Sequence, residues 1–175
     1  QENAIALIEK QFETMRGRGP KPEVPPFGQM NHQGIKPFFH FEEEAGAARI
    51  RIETITLASK PIESVDSHTT ALLHALANDM VQDRLEASIK RAESVLTSVR
   101  VGSGHFLDQV KYTEISGTSE PTQWETALSE LEQELRKAVT FGFTLAELEC
   151  AKGEFRAELL SALKKSSTRD SKQLS

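Results

Sequence analysis

The chain has 175 residues, 38% hydrophobic and 27% charged, a composition that fits one ordinary folded domain with or without a further fragment. Its formal net charge of -5 argues against a nucleic-acid partner. No apolar run approaches the roughly 18 residues needed to cross a bilayer, and the single cysteine, Cys150, excludes an internal disulfide.

The chain opens as QENAIALIEKQF, already inside a helical pattern that places Ile5, Ile8, Phe12 and Met15 on one face. A start inside a pattern is expected of a piece of a longer chain. The next segment, Gly17 to Gly34, carries four prolines and four glycines. Proline removes backbone donors and glycine loosens the chain, so the segment reads as an extended linker. KPFFHF (36–41) reads as a short strand, and EEEAG as a polar break. AARIRIET alternates strictly, with Ala48, Ile50 and Ile52 on one face and Arg49, Arg51 and Glu53 on the other, the pattern of a half-buried antiparallel strand.

Ser64 is placed to cap a helix running to about Glu93, with Asp66 in its first turn and Leu72, Leu76, Met80 and Ile89 among its apolar positions. Residues 95–101 and 109–116 read as two strands joined by a long loop, GSGHFLD, as a hairpin. From Thr122 to Phe141 the pattern is helical again through Trp124, Leu128, Leu131, Leu135 and Val139. Thr122 with Glu125 has the spacing of a capping box. Gly142 is placed to end this helix in a left-handed conformation. A second box, Thr144 with Glu147, opens the next helix, and Phe143 and Leu148 have the spacing of a hydrophobic staple. That helix is expected to bury Leu145, Leu148, Phe155, Leu159 and Leu163 and to turn Glu147, Glu154, Glu158 and Lys165 the other way. The order after the linker is β-β-α-β-β-α-α, an α+β domain with helices packed on an antiparallel sheet.

Chemistry is sparse along this frame. The histidines are His32, His40, His68, His74 and His105. None has the H-E-x-x-H or H-x-x-E-H spacing that presents two imidazoles to one zinc. His68 and His74 lie about 240° apart around their helix. His40 with Glu42, Glu43 and Glu44 reads as a solvated turn rather than a chelate. There is no nucleophile elbow, P-loop or dinucleotide fingerprint, and GSG at 102–104 reads as a turn. Cys150 reads as a small, mostly buried helix residue. Trp124 and Tyr112 read as structural. Arg49, Arg51 and Arg100 would share the outer face of the sheet, balanced by Glu53 and Glu114. No residue is assigned a catalytic, cofactor-binding or metal-binding role.

The segment GFTLAELECAKGEFRAELLSAL resembles a tail of the M16 metallopeptidases, the family of pitrilysin, insulin-degrading enzyme and the mitochondrial processing peptidase. There a helix ends at glycine, and an apolar residue and threonine introduce a helix of the form x-x-E-L-x-x-A-K. Gly142, Phe143, Thr144, Glu147, Leu148, Ala151 and Lys152 match. The resemblance extends to WETALSELEQELRKAVTFG, to AIALIEKQFETM and to EEEAGAARIRIETI, in the family's order of helix, proline-rich linker, strands, long helix, strand pair and double helix.

The resemblance implies that residues 1–16 are the last helix of an upstream domain, 17–34 a linker, and 35–175 a non-catalytic M16 C-terminal-type domain. It implies that the intact protein is a zinc metalloendopeptidase acting on peptides, with zinc bound outside this chain. It implies as partners a peptide substrate and other M16 domains of the same chain or of a partner subunit, and a periplasmic or otherwise exported bacterial protein. Some members carry a substrate-holding arginine and tyrosine seven residues apart. Here Arg84 and Arg91 are followed at that spacing by Arg91 and Ser98, so the tyrosine is absent, which favours the second domain of an N-terminal half, or a degenerate member. The alternatives are a scaffold subunit without a zinc site and an unrelated α+β interaction domain.

Overall fold

The structure, a computed structural model, describes residues 2–17, 19–20, 23, 28, 33–57, 62–107 and 109–166. The chain divides into two compact units, Gln1–Lys36 and Pro37–Ser175. The first holds helix α1 (Glu2–Phe12). Most of the proline- and glycine-rich segment, with His32, lies outside the described residues.

The second unit contains strand β1 (Ala48–Leu57), helix α2 (Val65–Ile89), strands β2 (Leu96–Phe106) and β3 (Val110–Ser119), helix α3 (Trp124–Phe141) and helix α4 (Leu145–Lys164). The strands form one antiparallel sheet in the order β1-β3-β2. The α+β class with helices packed on an antiparallel sheet is therefore the one observed.

One expected strand is missing. Residues 36–41 form no strand, and Phe38, Phe39 and Phe41 are exposed. Pro37 has no amide to donate to a ladder, and β1 is paired with β3 alone. The second hairpin is also tighter than expected. Its strands run through GSG to the pair Phe106 and Val110, with Leu107 at a φ of 52° in the connection.

The alternation of β1 explains the core. Ile50 and Ile52 meet Ile115 of β3 and Val99 and Val101 of β2 on the inner face, where α2 supplies Val81 and Leu85 and α3 supplies Ala127 and Leu131. Leu85 and Leu131 are essentially inaccessible to solvent, and truncating either to alanine costs about 2–5 kcal/mol. A bulge between Leu96 and Ser98 turns Leu96 inward. Side chains from the helices tie down β2. Gln82 of α2 donates to the Val99 carbonyl (3.2 Å) and accepts from the Val101 amide (2.8 Å), so its amide group stands in for a neighbouring strand on that edge. Glu130 of α3 accepts from the Ser94 hydroxyl (2.7 Å) and the Val95 amide (3.0 Å).

A smaller cluster joins α2 to α4 through Leu76, Met80 and Ala151, with Phe143, Leu148 and Phe155 packed against it. Phe143 and Leu148 thus meet the same cluster, as a staple requires. The rest of the expected apolar face of α4 is uncovered: Leu145, Leu159 and Leu163 are all more than half exposed. Spacing put them on one stripe, but the described residues of this unit leave that part of the helix largely uncovered.

The helix starts divide into two kinds. Ser64 caps α2, accepting from the Ser67 amide (3.1 Å) while the Ser67 hydroxyl takes the Ser64 amide (2.9 Å). Thr144 and Glu147 form the expected box at α4. Thr122 and Glu125 do not form one at α3. Pro121–Gln123 wind into a 3-10 turn first, so Thr122 is already inside helical backbone and cannot adopt the extended conformation of a cap.

Candidate functional site

The strand register sorts the outer face of the sheet into rows. Arg49, Thr118 and Ser98 form the first row, and Arg51, Ser116 and Arg100 the second. Glu53 and Glu114 stand opposite each other in the third, beside Gly102. Ile55, Tyr112 and Gly104 form the fourth, and Leu57, Val110 and Phe106 the fifth. The two faces therefore exchange character along the strands. Inside, the first three rows are the apolar core and the last are Thr54, Thr113 and Ser103, then Thr56, Lys111 and His105. Outside, the charged rows come first and the apolar rows last.

The sheet thus brings Arg49, Arg51 and Arg100 together, as the alternation predicted. They line an open depression of about 300 Å³ with Glu114, Ser116 and Thr118. Glu114 is largely covered and lies 3.4 Å from the Arg51 Nε and 3.8 Å from the Arg100 Nε. No guanidinium of the three donates a hydrogen bond among the described residues, although Arg51 and Arg100 share Glu114 as an ion-pair partner through their Nε atoms and only Arg49 of the three has no such partner there. At the far end Tyr112 lies flat over Gly104: a Cβ there would stand 2.9 Å from the tyrosine Oη.

A second constellation sits where α3 passes into α4. Arg84 of α2 donates from Nε to Glu147 Oε1 (2.5 Å) and from one terminal nitrogen to Glu147 Oε2 (3.0 Å) and to the Gly142 carbonyl (2.9 Å). Its other terminal nitrogen is 3.6 Å from buried Glu134, and its guanidinium lies 4.8 Å above the Phe143 ring. The Arg84 hydrogen bonds, with two more from Thr144, hold the Glu147 carboxyl down at about 2. Gly142 makes the turn possible with φ 67° and ψ -147°, a region essentially reserved for glycine and outside the left-handed helical region expected for it. Sequence reasoning took Glu147 as a cap that faces away from the core and did not assign Arg84 its place here. The capping box was the available signal, but the partner lies 63 residues away. This constellation fixes geometry and has no group free to act on a substrate.

Other singled-out residues fall elsewhere. Cys150 is exposed, not buried, because it lies on α4 away from Ala151. The charge of Glu154 raises its thiol pKa, the opposite of an activated nucleophile. Trp124 starts α3 partly exposed rather than in the core. His40 lies 3.2 Å from Glu42 in a fully solvated turn, and His74 Nδ1 is 3.4 Å from Lys111 Nζ. Among the described residues no three His, Cys, Asp or Glu side chains converge on a point where they could hold a metal ion. These residues therefore do not fit a zinc site. No helix among the described residues is long and apolar enough to cross a membrane.

No family model and no curated protein matches the chain by sequence. Solved structures do match it by fold. The periplasmic protease PqqL from Escherichia coli superposes with a TM-score of 0.81 at 16% identity, over 99% of this chain and 19% of that one. The first half of PqqL matches with a TM-score of 0.80 at 16% identity, over 99% of this chain and 37% of that one. A predicted insulinase family protease from Yersinia pestis matches with a TM-score of 0.69 at 16% identity, over 97% of this chain and 36% of that one. At these identities the likeness is one of fold. The chain has an M16-like fold, that of a segment of insulinase-type proteases, and spans less than two-fifths of each of these three solved chains.

Proposed function

We propose that the chain is a non-catalytic, chamber-forming domain of a zinc-dependent M16-type peptidase. The observation that carries this reading is the superposition of almost the whole chain on a fraction of a periplasmic protease, within its first half. The uncovered leucines of α4 support it, since a stripe of exposed apolar side chains suits a domain that packs against others. In this reading zinc, and the glutamate that acts as general base with it, belong to a neighbouring domain. The chain contributes wall and hinge around a peptide. The intact protein is exported, as PqqL is periplasmic.

Zinc content and peptide hydrolysis, measured on the 175-residue chain and on the intact polypeptide that contains it, test the proposal. The intact polypeptide is expected to hold one zinc and cleave peptides, and the chain to do neither. An intact polypeptide with no zinc and no hydrolysis would instead make this the fold of an assembly scaffold.

A further inference from the structure

We propose that the outer face of the sheet binds an extended peptide that carries carboxylates at one end and apolar side chains at the other. The five rows of the face lie two residues apart along each strand, about 6.6 Å per step. An extended chain running along the strands meets them at the same spacing. Its first side chains reach Arg49, which has no ion-pair partner among the described residues, and then Arg51 and Arg100, which share the single carboxylate of Glu114 and donate no hydrogen bond to it. Guanidinium groups suit carboxylates in planar, two-point contact. Four and six residues beyond the Arg51 row it reaches the row of Ile55 and Tyr112 and the row of Leu57, Val110 and Phe106.

The apolar rows lie outside the core, because on the inner face the same rows are polar and the core lies over the other end. Leu57 and Phe106 stand more than half exposed. Between the two ends, Glu53 and Glu114 form a row that repels a carboxylate on the ligand. The face therefore selects a pattern: acidic, then uncharged, then apolar. Charge complementarity decides the occupant. A nucleic acid, charged at every step, would set a phosphate against the glutamate row and further phosphates against the apolar rows, and the chain as a whole is acidic. The inference rests on the chamber reading for where such a peptide comes from, but binding is measured without hydrolysis, so the two fail separately.

The probe is a dye-labelled nine-residue peptide with glutamate at its first and third positions, serine at its fifth, and leucine at its seventh and ninth. Binding to the 175-residue chain is followed by fluorescence anisotropy at low and high salt. Replacing the peptide's glutamates by glutamines, or the chain's Arg49, Arg51 and Arg100 by glutamine, is expected to weaken binding about tenfold or more. A glutamate at the fifth position is expected to weaken it as well, and Glu114→Gln to relieve that penalty. The peptide-side changes keep the test valid if the triple substitution fails to fold. Equal affinity for the glutamine peptide, or equal binding of a single-stranded oligonucleotide of matched length, would overturn the proposal.

Discussion

Arg84 on α2 grips Glu147 on α4 through two parallel hydrogen bonds, and the same carboxylate caps the helix that carries it. One side chain therefore completes a local motif and a tertiary joint. Arg84→Ala leaves Glu147 without its cation and buried Glu134 with Lys137 alone, and is expected to cost about 2–3 kcal/mol. Arg84→Lys should recover only part of this, since a lysine cannot reproduce the fork. Urea unfolding of the two variants checks both statements.

The same carboxylate gives the fold an acid limb. The folded pKa of Glu147 lies at about 2 against an ordinary 4.5. Its contribution is therefore complete above 4.5 and is lost as pH falls from there through about 2. Asp79 and Asp83 work the other way. Partial burial first, then the charges of Glu158 for Asp79 and Glu154 for Asp83, raise their pKa values. Their ionisation disfavours the folded state, by an amount that vanishes as pH falls below the ordinary aspartate value. Glu147→Gln should flatten the loss of stability below pH 4.5, and Asp79→Asn should stabilise the chain at pH 7 but not at pH 3. Thermal melting across this range shows the two trends.

Gly142 and Gly153 provide a matched pair of substitutions. Gly142 sits at a positive φ, so Gly142→Ala is expected to destabilise by about 1–3 kcal/mol and to disturb the turn that Arg84 holds. Gly153 lies inside α4 with open space where a Cβ would go. Gly153→Ala should raise stability by about 0.5–1 kcal/mol. Opposite shifts in denaturation midpoint are the expected result.

Leu159 and Leu163 face solvent on α4. Changing both to serine should move the stability of the 175-residue chain by no more than about 0.5 kcal/mol each. In the intact polypeptide the same pair should lower the melting temperature by several degrees, because there the proposal has them covered. Differential scanning calorimetry of the two proteins compares the effects.

What could be read in advance was what neighbours in the sequence decide. The alternation of Arg49 to Glu53 gave a strand with the correct face inward, and with it the meeting of Arg49, Arg51 and Arg100. Thr144, Glu147 and Phe143 announced a helix start because a cap is satisfied within four residues. The misreadings share the opposite property. KPFFHF has the composition of a strand, yet a strand exists only where another offers its ladder. Thr122 and Glu125 have the spacing of a cap, but Pro121 begins winding a turn too soon. The stripe from Leu145 to Leu163 is real as a pattern, although the described residues supply only part of its cover. Arg84, Gln82 and Glu130 were not singled out for their structural roles because each acts on backbone or charge that is distant in sequence.

The central claim is that this domain helps to wall a peptidase chamber without performing its chemistry. Anomalous diffraction at the zinc edge, on crystals of the intact polypeptide, tests it most directly. The account predicts one zinc peak ligated entirely by residues outside this chain, with the Arg49, Arg51 and Arg100 face turned toward the enclosed space. A zinc held by residues of this chain, no zinc at all, or that face turned to the outer surface would contradict it.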